Sequence, residues 1–248
     1  SGMILRDNVY GTLEEDVMRR DFTVNALYYT VRDFVVLDYV NGMADIKLRC
    51  LRMIGNPAHR YREDPVRMLR AIRLAAKLDF SIAPETEAPL QSSAHLLESI
   101  PAARLFDEFM KLFFAGHATT TYKLLTRYGV FAVLFPASSA ALETDDGQYE
   151  RLLLSGVVST DERINADKSV TPAFLLAVLL WPALQEQQRL LVAEGEPEAQ
   201  AMDEAAHIVL SDQLERLAIP RRFSIPMREI WEMQPRLANR RGRRAELL

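Results

Sequence analysis

A single cysteine, Cys50, in 248 residues excludes an internal disulfide and any zinc site built from thiolates. The four histidines are scattered without ligand spacing. No apolar run reaches the roughly 18 residues that a membrane-spanning helix needs, and the opening SGMILRDNVYG lacks the basic start and apolar core of a signal peptide. No repeat recurs at a fixed period. What remains is a soluble chain, expected in the cytoplasm as a monomer with no membrane partner. It is 49% apolar and long enough to bury a core in one large or two modest domains.

Acid is also missing, locally, from residues 66–77. Arg67, Arg70, Arg73 and Lys77 fall within an arc of about 120° on one helix face, and Met68, Leu69, Ile72, Ala75 and Ala76 fall on another. Asp64 is a good N-cap and Pro65 suits the first helical position, so a helix is expected to start there. With no carboxylate inside the stripe, the face reads either as a solvated charge run or as a surface for a polyanion. The net charge of −4 hides a division. Residues 47–77 carry +7, residues 78–215 carry −13 and residues 216–244 carry +7. Two basic regions separated by an acidic body suit a protein that meets a polyanion in particular places.

Along the chain, Thr12 with Glu15 forms a capping box for a helix over 12–20, and Asp21 can cap a second helix over 22–31. Residues 34–40, FVVLDYV, are β-branched and aromatic and read as a strand, pairing after an Asn-Gly turn with 48–54. Helical periods dominate from there. Helices are expected over 84–97 with Pro89 as a doubt, 101–115, 119–128, 150–158, 172–193 with a kink or split at Pro182, 197–217 and 225–239. Residues 143–147 are expected to form an exposed loop, and the basic string RRGRR follows at 240–244.

Two strings carry a resemblance. RRDFTVNALYY at 19–29 and GNPAHRYREDPVRMLRAIRLAAKL at 55–78, linked by DYVNGMADI at 38–46, resemble the bacterial poly(A) polymerase and CCA-adding enzyme family, template-independent nucleotidyltransferases that extend RNA 3′ ends. LRDNVYG at 5–11 and IPAARLFDEFMKLF at 100–113 are similar to the poly(A) branch. The resemblance implies a mostly α fold, with the remnant of an α/β nucleotidyltransferase head at 1–54, a helical, nucleotide-selecting neck at 55–116 and an RNA-binding helical body at 117–248. Carried over by position, it implies that Asp64 accepts from the incoming base while Arg67 donates to it. It also implies that Arg20, Arg70 and Arg73 bind the nucleotide, and that Asp21 is a catalytic-site carboxylate.

Each residue has a plain structural reading beside this. Asp64 and Asp21 can be helix caps, Arg20 can pair with Glu15 or Asp16, and Phe22, Tyr28 and Tyr29 can be core. Arg240, Arg241, Arg243 and Arg244 either hold RNA or form a basic end. The family's strand carboxylates, D-x-D, and its Gly-rich turn do not occur here. The Mg²⁺ ligands are therefore expected upstream, and this chain is expected to be a fragment inactive alone. The implied reaction takes ATP and an RNA 3′ end. The alternatives are CCA addition to tRNA and a helical RNA-binding module without catalysis.

Overall fold

The computed structural model describes residues 12–238, and the chain divides into two compact units, one up to Ser93 and one from Ala94. The basic string with Arg240, Arg241, Arg243 and Arg244 lies outside the described residues.

The first unit opens with α1, Leu13–Arg19, which begins as its sequence dictates. The Glu15 amide donates to Thr12 Oγ1 at 3.3 Å and the Thr12 amide to Glu15 Oε2 at 3.0 Å. The helix expected over 22–31 does not form. Phe22 is extended at φ −130°, residues 23–25 make a single tight turn, and β1, Leu27–Thr30, pairs antiparallel with β2, Val35–Asp38. Asp21 is not a cap because its backbone is drawn into extended pairing, its carbonyl accepting from the Ile54 amide at 3.0 Å. The hairpin therefore closes on Leu27–Thr30 and not on residues 48–54.

After β2, Asn41 turns left-handed at φ 63° and α2, Gly42–Lys47, replaces the expected turn. The carboxylate of Asp38 receives the amides of Gly42 and Met43, both at 2.9 Å, and of Val40 at 3.2 Å. A Cβ on Gly42 would overlap the Thr23 carbonyl, so only glycine allows this approach. The segment 48–54 contributes a two-residue strand, β3, Cys50–Leu51. Its partner is the parallel β4, Ser81–Ile82, which follows α3, Pro57–Glu63, and α4, Val66–Leu78. Tyr61, Met68, Leu69 and Ile72 from α3 and α4 are fully buried beside Leu51 and Phe22. Pro89 does break the next helix, leaving α5, Pro84–Glu87, and α6, Leu90–Ser93.

The second unit is helical among its described residues. Its elements are α7, Ala102–Phe113; α8, Ala118–Arg127; α9, Val130–Leu134; α10, Pro136–Thr144; and α11, Gln148–Asn165. They continue with α12, Pro172–Leu179; α13, Trp181–Ala193; α14, Glu198–Arg216; and α15, Arg221–Ala238. The break at Leu180 falls where Pro182 demands one. Rings of Phe109, Phe113, Phe131 and Phe135 meet with centroids 5.1–6.0 Å apart, Phe131 stacked on Phe135, Phe109 edge-on to Phe135 and tilted against Phe113. Gly156 lets α11 press on Val178 of α12, and buried Trp231 ties α15 to α12 through Nε1–H donated to the Ala177 carbonyl at 3.0 Å. Among the described residues no helix is long and apolar enough to cross a membrane.

Candidate nucleotide site

The site is built on the first turns of α4. Asp64 is extended at φ −144°, its Oδ1 accepts from the Val66 amide at 3.3 Å and its carbonyl accepts from the Arg67 amide at 3.0 Å. Pro65 is already helical at φ −56°, ψ −25°. The cap position falls on Pro65, one residue later than expected, and the helix runs from Val66, whose amide the Asp64 carboxylate receives from just outside it. The buried face of α4 is the one expected, Met68, Leu69, Ile72, Ala75 and Ala76.

The other face is not the bare cationic stripe that residues 66–77 suggest. Arg67 Nε donates to Asp21 Oδ1 at 3.0 Å and Arg70 Nη1 to Asp21 Oδ2 at 2.6 Å, so one carboxylate holds two guanidiniums a single helical turn apart. Arg67 Nη1 also donates to Glu63 Oε2 at 3.0 Å and to the Arg60 carbonyl at 2.9 Å. The relief of charge comes from outside the stripe, 46 and 49 residues away at Asp21 and across the helix break at Glu63. Arg67 retains Nη2 without a hydrogen bond among the described residues, a fork edge held by its two other nitrogens.

Burial pushes the Asp21 carboxyl up, but the hydrogen bonds and charges of Arg70 and Arg67 outweigh it and leave it below its ordinary value of 3.8. At neutral pH it is an anion clamped by two cations. Arg20, next to it, points elsewhere. It pairs with Asp16 at 3.0 Å, the one-turn partner open to it from sequence, and its guanidinium lies 5.6 Å from the Tyr28 ring centroid. The Tyr28 hydroxyl donates to the same Asp16 carboxylate, which its hydrogen bond and that of Arg20 hold below the usual range. Tyr29 is exposed, not core, while Phe22 is fully buried. Arg73 lies two turns along α4 from Arg67, and its Nε is buried with no hydrogen-bond partner among the described residues.

Two participants were not singled out from sequence. Arg60 Nη2 donates to the carbonyls of Arg20 at 2.6 Å and Arg19 at 3.0 Å, and its Nη1 donates to Glu63 at 3.2 Å, fastening α3 to the end of α1. Glu63 bridges Arg60 and Arg67. Its spacing of four from Arg67 was the available signal, obscured by the proline between them.

Mg²⁺, which the family resemblance implies, finds no donor set here. Among the described residues no group of three or more His, Cys, Asp or Glu side chains could hold a metal ion, and both oxygens of Asp21 are spent on arginines.

Family models match three stretches covering more than half of the chain. They are the poly A polymerase head domain at 4–52, the probable RNA and SrmB-binding site of polymerase A at 79–142, and the polymerase A arginine-rich C-terminus at 194–248. The chain belongs to the poly(A) polymerase family. Poly(A) polymerase I of Escherichia coli is 48% identical over 247 residues, 99% of this chain and 53% of that protein. Poly(A) polymerase I of Haemophilus influenzae is 48% identical over 245 residues, 97% of this chain and 54% of that protein. The CCA-adding enzyme of Levilactobacillus brevis is 46% identical over 101 residues, 41% of this chain and 25% of it. The chain spans about half the length of the curated poly(A) polymerases it matches. A solved CCA-adding enzyme in an apo form superposes with a TM-score of 0.61 at 22% identity, covering 92% of this chain and 48% of that one. A second, described as a complex with ATP, gives 0.58 at 23% identity, covering 91% and 48%. These two show the fold.

Proposed function

We propose that the whole protein is a template-independent polynucleotide adenylyltransferase, and that this chain carries its nucleotide-selecting helix and RNA-holding helical body. The RNA 3′ oxygen bonds to the α-phosphorus of ATP, the bond from that phosphorus to the bridging oxygen of pyrophosphate breaks, and the RNA grows by one AMP. The observation that carries the reading is the double clamp of Arg67 and Arg70 on Asp21. It fixes two guanidinium forks on a rigid helix before any ligand arrives, which spares the ordering cost of two long side chains. The high identity to proteins named poly(A) polymerase supports the choice of ATP.

In this reading Arg67 Nη2 donates to the base edge, Asp64 accepts from it, and Arg70 and Arg73 face the phosphates, while Arg20 would reach them only by leaving Asp16. Asp21 acts in this reading as a positioning residue, because its two carboxylate oxygens are engaged by Arg67 and Arg70. Magnesium, as metal catalysis of this transfer would require, is held by residues other than those described here. RNA is held by the body, with Arg240, Arg241, Arg243 and Arg244 among the contacts. The protein works in the cytoplasm as a monomer.

The test is primer extension by the full-length protein on a short unstructured RNA, with Mg²⁺ and each nucleoside triphosphate separately. Long products with ATP alone are expected. One or a few additions on tRNA-like ends with CTP in use would move the protein to CCA addition, and no extension at all would leave an RNA-binding module.

A further inference from the structure

The arginines of the second basic region do not share one role. Arg216 serves the fold, its Nε donating to the Val133 carbonyl at 2.6 Å, with Glu98 4.0 Å from its Nη2. Arg222 lies over the Phe223 ring at 4.8 Å. Arg221 is exposed and has no hydrogen bond or ion pair among the described residues, and Arg228 has only a long contact, 3.6 Å, to the exposed Asp203.

Arg221 and Arg228 stand seven residues apart on α15, two turns and about 10 Å along one face. That face and α14 border an open cleft of about 410 Å³. Its apolar lining includes Leu214 and Ile225, 38% and 67% exposed, and its polar lining includes Arg221, Arg228 and, from α14, His207. Ser224 stands between the two arginines, its hydroxyl without a hydrogen-bond partner among the described residues. Arg221 opens an 18-residue helix, so the first-turn amides and the helix dipole favour an anion at the same end.

Exposed apolar side chains beside spaced arginines form the pattern that single-stranded nucleic acid requires, with base faces on the apolar side chains and phosphates on the arginines. Cations spaced along one helix face suit a strand that runs along the cleft. Among the described residues Asp203 is the one carboxylate in an ion pair with a lining arginine, and it opposes Arg228 and not Arg221.

We propose that the α14–α15 cleft is a track for single-stranded RNA, with Arg221 and Arg228 on successive parts of the backbone and Ile225 beneath a base. This deepens the adenylyltransferase reading by locating part of its RNA surface, and it rests on that reading only for the role of the strand as substrate.

The experiment is equilibrium binding of a short oligoadenylate to the full-length protein without ATP, across a salt series. Arg221→Glu should weaken binding severalfold, and adding Arg228→Gln should weaken it further. Each lost contact should flatten the log–log salt slope by roughly 0.7. Arg221→Lys should largely preserve affinity, and Arg189→Ala, on an exposed pair outside the cleft, should leave it unchanged. Arg221 is exposed, so the variants should keep the thermal midpoint of the parent. Unchanged affinity and slope in the double variant would overturn the proposal and leave the cleft to an acidic peptide. Equal loss against duplex RNA would overturn the single-strand assignment. Oligoadenylate binding that responds to these variants in a protein that adds no AMP would sink the adenylyltransferase reading while the track stands.

Discussion

Asp21 is the residue on which the site turns. It is half-buried, and its two oxygens face Arg67 and Arg70. Because its folded pKa lies below the ordinary 3.8, its contribution to stability is complete above that value and is lost as pH falls through the lower folded one. Asp21→Ala should therefore lower the unfolding free energy by about 2 kcal/mol at neutral pH, by taking from two partly buried guanidiniums the carboxylate they share, and the deficit should shrink in strong acid. Urea unfolding at neutral pH and near the acid limb measures both. A deficit that persists unchanged in acid would mean that packing, not the ion pair, is what the substitution removes.

At the scale of elements, the sequence carried what is local and missed what is long-range. The capping box of α1, the buried face of α4 and the split before α13 rest on contacts within a few residues and formed as read, whereas the single helix expected over 84–97 is broken at Pro89, the residue that cast doubt on it. The helix expected over 22–31 failed because Leu27–Thr30, with the aromatic pair Tyr28 and Tyr29, is drawn into pairing with Val35–Asp38, a contact no local pattern specifies. The cross-chain clamp on Asp21 was hidden for the same reason, its partners being 46 and 49 residues distant. Asp38 shows the converse. Read as part of a strand, it also closes the start of α2 with three amides, which hold its carboxyl low against the upward push of burial. Asp38→Ala should cost about 1 kcal/mol, and Asp38→Asn should recover part of it, in thermal unfolding. Equal losses in both variants would place the effect in charge and not in capping geometry.

For the whole molecule, the net charge of −4 conceals two basic regions that the structure surrounds differently. On α4 Arg67 and Arg70 are pinned by carboxylates and Arg67 is left with one directed edge, which suits selection of a small ligand. On α15 Arg221 is left open beside an apolar cleft, which suits a long polyanion whose grip weakens with salt. The central claim is that α4 selects the nucleotide by the geometry of a fork and not by charge alone. Arg67→Lys in the full-length protein keeps the charge and removes the fork, so the decisive measurement is kcat/KM for ATP against each other nucleoside triphosphate. Loss of ATP preference by about tenfold or more, with RNA affinity and its salt dependence unaltered, is the predicted result. An enzyme that keeps its full preference for ATP with lysine at 67 would contradict the account.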